Sequence, residues 1–234
     1  MSQPQHIYTF CDPSSNFTQP SPYAIHRQSL LSTLQKFSRL GTYSNATIGP
    51  SPDTVYGMYL CRGDINATSC FDCVLTATME IARNCSHNKA AVIYYQKCMV
   101  RYSNVSFFTL METRPSVNLH PLNQPAPNLN RFNKTLTDKF DQLILNVSSS
   151  SSIPYFVQDQ ERVIQPEGSY ELESMIQCSP DLDLSNCTVC LKTSFLRFFS
   201  TACSGLPSVA QIFTPKCLLW YKTSVLPSPP PPLT

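Results

Sequence analysis

Two pairs of cysteines stand two residues apart, Cys70-x2-Cys73 and Cys187-x2-Cys190. Such a pair is half of a four-thiolate zinc site, a redox couple at a helix N-terminus, or two sulfurs that belong to different disulfides. The surrounding spacing weighs these chemistries. Cys61, Cys70 and Cys73 read C-x8-C-x2-C, and Cys178, Cys187 and Cys190 repeat that ruler 117 positions later. Downstream, 11 residues precede Cys85 and 12 more precede Cys98, against 12 before Cys203 and 13 before Cys217 in the second copy. Each last cysteine opens a Lys-Cys-x-x-x-Tyr frame, Lys97-Cys98 to Tyr102 and Lys216-Cys217 to Tyr221. A zinc site has no need of Cys61 and Cys178 in register. A thioredoxin-like βαβ order is missing, so the redox reading is confined to a sensor with a labile disulfide. Five cysteines in register favour a tandem repeat of one disulfide-stapled domain.

The asparagines speak to the compartment. Asn-x-Ser/Thr begins at Asn16, Asn45, Asn66, Asn84, Asn104, Asn133, Asn146 and Asn186, which is eight of the 13 asparagines. That density fits passage through a secretory pathway, where disulfides persist. Asn84 and Asn186 have cysteine at the middle position and make poor acceptors, leaving Asn16, Asn45, Asn66, Asn104, Asn133 and Asn146 as the expected glycan sites. Residues 1–10 are polar and lack an apolar signal core, so secretion implies a leader already removed. No run reaches the ~20 apolar residues of a membrane span. The net charge of +2, with no long basic run, argues against a nucleic-acid partner.

The elements that must position the cysteines follow from periodicity. Ile7–Phe10 reads as an edge strand ending at Cys11. Ser21-Pro22 is a cap followed by a first-turn proline, and a helix over Tyr23–Leu40 carries Ile25, Leu30, Leu31, Leu34 and Phe37 at helical spacing, with Gly41 as its stop. Val55–Cys61 reads as a strand. Asn66 or Thr68 caps a second helix that holds Cys70, Cys73 and Ile81 and ends near Asn84. Ala91–Tyr102 reads as one long strand and Val105–Met111 as a final one. Proline-rich residues 113–129 read as a linker. The second copy has a helical stripe of Phe132, Leu136, Phe140, Leu143 and Ile144, a Ser148–Ser152 loop, a Tyr170–Cys178 strand, a Leu184–Ala202 helix and a Val209–Tyr221 strand. Tyr94, Tyr95, Phe107, Phe108, Phe198, Phe199, Trp220 and Tyr221 read as core, some of them available to the seam between repeats. A polyproline II tail closes the chain. The division is 1–111 for the first domain, 112–127 for the linker, 128–224 for the second domain and 225–234 for the tail. Each half is α+β, an antiparallel sheet with two packed helices.

The twofold C-x8-C-x2-C ruler resembles the ginkbilobin-like, or salt-stress-response/antifungal, domain of plants, over roughly residues 6–108 and 128–223. Tandem copies occur in cysteine-rich receptor-like kinase ectodomains, plasmodesmata-located proteins and secreted cysteine-rich repeat proteins. The resemblance implies a five-stranded antiparallel sheet with two helices in each repeat. It implies the bonds Cys11–Cys85, Cys61–Cys70, Cys73–Cys98, Cys178–Cys187 and Cys190–Cys217, and leaves Cys203 unpaired. Spacing alone would not choose among these pairings. Single-repeat members bind mannose through an Asn after the first cysteine, an Arg six before the last and a Glu five after it. The matching positions hold Asp12, Val92 and Ser103, with Gln211 and Lys222 in the second repeat, so the mannose site is not carried over. Asp12 and Arg101 are left as polar residues more simply read as solvated.

No hydrolase, P-loop or kinase signature occurs, and His6, His26, His87 and His120 lie apart. The expectation is a non-catalytic, apoplastic ligand-sensing or interaction module with no cofactor and no metal. It would be the ectodomain of a receptor-like kinase in defence or stress signalling, its kinase outside this chain. Its partners would be an apoplastic ligand or other cell-surface ectodomains, with homo- or hetero-association allowed. The alternatives are a secreted repeat protein with carbohydrate-binding or antifungal activity and an apoplastic thiol redox sensor.

Overall fold

The computed structural model describes residues 3–120, 126, 129–147, 155–165, 168–201 and 206–226. The chain divides into two compact units, Met1–Leu110 and Met111–Thr234. The first unit runs β1 (His6–Cys11), α1 (Pro22–Phe37), β2 (Tyr43–Ile48), β3 (Val55–Cys61), α2 (Ala67–Asn84), β4 (Ala91–Tyr95) and β5 (Cys98–Ser103). The second runs β6 (Val117–Leu119), α3 (Leu129–Asn146), β7 (Phe156–Gln165), β8 (Gly168–Cys178), α4 (Leu184–Thr201), β9 (Val209–Phe213) and β10 (Cys217–Val225). Each unit is a five-stranded antiparallel sheet, ordered β1-β4-β5-β3-β2 and β6-β9-β10-β8-β7. The two orders are the same permutation, as a repeat requires.

The helices form where apolar residues recur every three or four positions. In α1 the buried stripe is Tyr23, Arg27, Leu30, Leu31 and Leu34. Ile25 and Phe37, expected in that stripe, lie on its exposed side. Ser21 caps the helix by accepting the Ala24 N–H at 3.2 Å, and Pro22 sits in the first turn, where its missing N–H costs nothing. The helix stops at Phe37 rather than at Gly41. Ser38 closes it by donating its N–H to the Leu34 carbonyl, and bonds from Arg39 and Leu40 to carbonyls three residues back tighten the chain beyond the last turn. Asn66 caps α2, its side chain accepting the Ser69 N–H at 2.8 Å. In α3 the stripe Phe132, Leu136, Phe140, Leu143 and Ile144 is buried throughout.

The sheets differ from the sequence reading in six places. The stretch Ala91–Tyr102 is a hairpin, β4 and β5, turning at Gln96-Lys97. Val209–Tyr221 likewise folds into β9 and β10. Val105–Met111 forms no strand. Two edge strands were not foreseen, β2 and β7; β2 pairs only with β3 and β7 only with β8. Within the proline-rich stretch before the second repeat, Val117–Leu119 supplies β6, paired with β9. The Ser148–Ser152 loop and the proline tail from 227 lie outside the described residues.

In the first unit α1 and α2 share a core with Tyr59, Ile93 and Val100. In the second, α3 and α4 pack Phe140, Leu191 and Phe195 against Ile212, Leu219 and Tyr221. The close approach of α1 to its sheet depends on Gly57 in mid-β3. A Cβ there would meet Leu30 Cδ2 at 2.5 Å and the Arg101 carbonyl at 3.2 Å. Leu30 is fully buried and has no room to retreat. Gly57→Ala should therefore destabilise the first unit by about 1–3 kcal/mol through overpacking, seen as an earlier denaturant midpoint with the second unit's transition unmoved.

Candidate functional site

Cys61 ends β3 and Cys98 begins β5, and the two are direct neighbours across the sheet. On α2, Cys70 and Cys73 stand three residues apart on one face. The bonds Cys61–Cys70 and Cys73–Cys98 thus clip the first turns of one helix to two adjacent strand ends. The second unit repeats this with Cys178–Cys187 and Cys190–Cys217, joining β8 and β10 to α4, and Cys217 again faces Cys178. A fifth bond, Cys11–Cys85, ties the end of β1 to the C-terminus of α2. Apart from the partly buried Cys11, these cysteines are buried. Each C-x2-C pair therefore splits between two bonds and offers neither a thiolate nor half a metal site. Cys203 lies outside the described residues.

The positions matching the family's mannose site are occupied by other interactions. Asp12 donates its N–H to the Ala90 carbonyl, and bonds from the Ser14 hydroxyl and amide hold its carboxyl below the ordinary range. Val92 is only 2% exposed on β4, beside Arg101 of β5. The Arg101 guanidinium lies 4.0 Å from the Phe107 ring centroid. Ser103 is buried, and its hydroxyl accepts the Val105 N–H at 3.0 Å. In the second unit Gln211 is buried on β9, and Lys222 stands 3.8 Å from Glu173. Of the expected glycan sites, Asn16, Asn45, Asn66 and Asn146 are exposed, whereas Asn104 and Asn133 are half-buried.

Three buried cations escaped the sequence reading. Arg27 of α1 is 6% exposed and donates to the Cys85 carbonyl at 2.7 Å and the Tyr102 hydroxyl at 3.2 Å. A cation at the C-terminus of α2 meets the negative end of the helix dipole. The guanidinium also lies 4.8 Å from the Phe17 centroid. Lys216 of the Lys-Cys frame is fully buried and pairs with Asp181, whose other oxygen accepts the Ser179 hydroxyl at 2.5 Å. Lys139 of α3 is 3% exposed and reaches Asp159 at 2.5 Å and Glu161 at 2.8 Å, both on β7. Burial alone would lower the Lys139 pKa, but hydrogen bonds to the two carboxylates outweigh it and raise it. The bond from Lys139 holds Asp159 below the usual carboxylate range. Burial likewise pushes the Tyr59 phenol up to about 12. The signal for Arg27 and Lys139 was a long cation inside an otherwise apolar helical stripe.

Among the described residues, a groove of about 430 Å³ separates α1 from α2. Its lining includes the exposed Ile25 of α1 and Met79 of α2, the buried Leu31, and the polar Gln28, Ser32 and Gln35. The Gln35 amide donates to the Thr78 hydroxyl at 2.7 Å, bridging the helices. A smaller cleft of about 380 Å³ around Asn16, Asp53 and Lys89 opens at the start of α1 and shares Ser21 with it.

The sequence model of the salt stress response/antifungal domain matches residues 10–105 and 122–224. The chain belongs to that family. Arabidopsis thaliana cysteine-rich repeat secretory protein 9 is 64% identical over 231 residues, covering 99% of this chain and 70% of its own length. Putative cysteine-rich repeat secretory protein 7 of the same plant is 63% identical over 229 residues, covering 98% and 79%. The tandem DUF26 ectodomain of the Arabidopsis thaliana cysteine-rich receptor-like protein PDLP8 has the same fold, with a TM-score of 0.76 at 22% identity, over 95% of this chain and 99% of that one. This member of the salt stress response/antifungal family is thus an extracellular plant protein with two such domains, similar to the secretory proteins of that family. No helix among the described residues is long and apolar enough to cross a membrane.

The Lys139 cluster makes the second unit sensitive to pH. The depressed Asp159 pKa contributes stability that is full above the ordinary value of 3.8 and fades as pH falls through the lower, folded one. The raised Lys139 pKa contributes stability that is full below 10.5 and fades as pH climbs through the higher, folded one. Chemical denaturation of Lys139→Met should show a weaker second unit at neutral pH and a smaller loss on acidification below pH 3.8 than the parent.

Proposed function

We propose that this protein is a non-catalytic recognition module of the apoplast, acting in defence or stress signalling. The observation that carries the reading is that all ten cysteines among the described residues are spent on disulfides that fix helices to sheets. The exposed helix faces and clefts are then a rigid surface for contact with a ligand. The secreted form is supported by the relatives at 64% and 63% identity, which carry the name of secretory proteins. A receptor ectodomain with its kinase outside this chain is the second reading, supported by the fold shared with a receptor-like ectodomain. Glycans at the exposed Asn16, Asn45, Asn66 and Asn146 would add polar cover to the surface. Mannose recognition through the family site is not part of the proposal, because Val92 and Ser103 are buried and uncharged there.

Fluorescently labelled protein added to plant cell walls and protoplasts tests this reading. Binding should saturate, should be displaced by unlabelled protein and should be indifferent to free mannose. Binding that never saturates would contradict recognition, and release by mannose would restore the lectin alternative.

A further inference from the structure

We propose that the groove between α1 and α2 binds an extended, uncharged peptide segment bearing an aliphatic side chain. This rests on the recognition reading above and names the chemistry of one site within it.

The walls are the first argument. Ile25 and Met79 are 63% and 64% exposed, one on each helix, and they flank the same groove. An isolated exposed apolar residue is ordinary, but two lining one groove, one from each helix, present a shared apolar surface. Leu31, itself buried, adds to the apolar lining. A ligand side chain entering the groove removes apolar surface from water, and the unbranched thioether of Met79 adapts to its shape.

The edge supplies the second argument. Gln28 and Gln35 line the groove, and each amide carries two donor hydrogens and an acceptor oxygen. Gln35 donates to Thr78, and its amide oxygen is the complement of a peptide N–H. Ser32 adds a hydroxyl that both donates and accepts. A main chain, with one donor and one acceptor per residue, matches such an edge.

Charge is the third. Arg27 is the one ionic residue among those lining the groove, and its guanidinium is turned inward to the Cys85 carbonyl, the Tyr102 hydroxyl and the Phe17 ring. A charged ligand would lose water and gain no opposite charge. No aromatic side chain lines the groove, so a sugar face has nothing to stack on, and no asparagine lines it, so no glycan is rooted there. The walls are also fixed in advance. Cys70, Cys73 and Cys85 bond α2 to strands, and Arg27 clasps α1 to its C-terminus. Preorganisation of this kind lowers the ordering cost of binding.

The test pans a phage-displayed random heptapeptide library against the full chain, then measures the enriched peptides, synthesised with blocked termini, on the parent and on the Ile25→Asp/Met79→Asp double variant. Both side chains face water, so the double variant should keep the parent's thermal transition; Gln28→Ala is measured alongside as a second probe of the groove. The expected result is a family of uncharged peptides with a shared aliphatic position, binding the double variant at least tenfold more weakly and Gln28→Ala more weakly than the parent. Equal binding to parent and both variants, enrichment of charged peptides only, or no enrichment at all would overturn the proposal. A failure here alongside saturable wall binding would sink the groove and leave the recognition module standing, whereas loss of wall binding would sink the module itself.

Discussion

In each unit, two disulfides attach one helix to two neighbouring strand ends, and the remaining structure is arranged around that clip. Cys61 faces Cys98 across β3 and β5, and Cys70 and Cys73 lie a turn apart on α2, so two bonds fix the position, direction and rotation of the helix together. A core shared by two short helices and one sheet is small, and a staple typically contributes ~2–4 kcal/mol, a large share of what such a domain holds in reserve. With α2 placed, α1 packs beside it, and the Arg27 contact to the Cys85 carbonyl joins the first helix to the stapled end of the second.

The two units solve the same geometry with different chemistry. Gly57 stands four before Cys61, and Ser174 stands four before Cys178. Over Gly57 sits Leu30, in close apolar contact. Beside Ser174 runs Asp159 of β7, which holds Lys139 of α3. An apolar helix contact in one repeat is thus an ion-paired one in the other. The acid three residues after the ruler's first cysteine also changes partner. Asp64 bonds Arg62 on its own loop, whereas Asp181 holds the buried Lys216. The register also locates the position at which the second repeat lacks a cysteine. Cys11 faces Ala91, seven before Cys98, while Leu119 faces Gln211, six before Cys217. The residue that follows Leu119, where the first repeat carries Cys11, is His120.

The elements legible in the sequence were those with a strong internal period. Ser21-Pro22 and Asn66 marked helix starts because capping is a local interaction, and the stripes of α1 and α3 repeat at the helical spacing. The edge strands β2 and β7 were not legible. Tyr43–Ile48 and Phe156–Gln165 carry polar residues on exposed positions, as edges do, and show no apolar run. The β4–β5 turn at Gln96-Lys97 has no glycine, proline or asparagine to announce it, so two strands read as one. The groove between α1 and α2 was hidden for another reason: it depends on which faces of two separated helices meet, and no local pattern records that. The resemblance to the family supplied the sheet and strand count that periodicity alone did not.

The central claim is that the C-x2-C cysteines belong to different bonds. Non-reducing proteolysis of the native protein, with thiols alkylated first and the fragments read by mass spectrometry, tests it directly. The account predicts fragments linking Cys61 to Cys70 and Cys73 to Cys98, with Cys178–Cys187 and Cys190–Cys217 in the second unit. A Cys70–Cys73 or Cys187–Cys190 bond, or alkylation at any of these eight sulfurs, would contradict it.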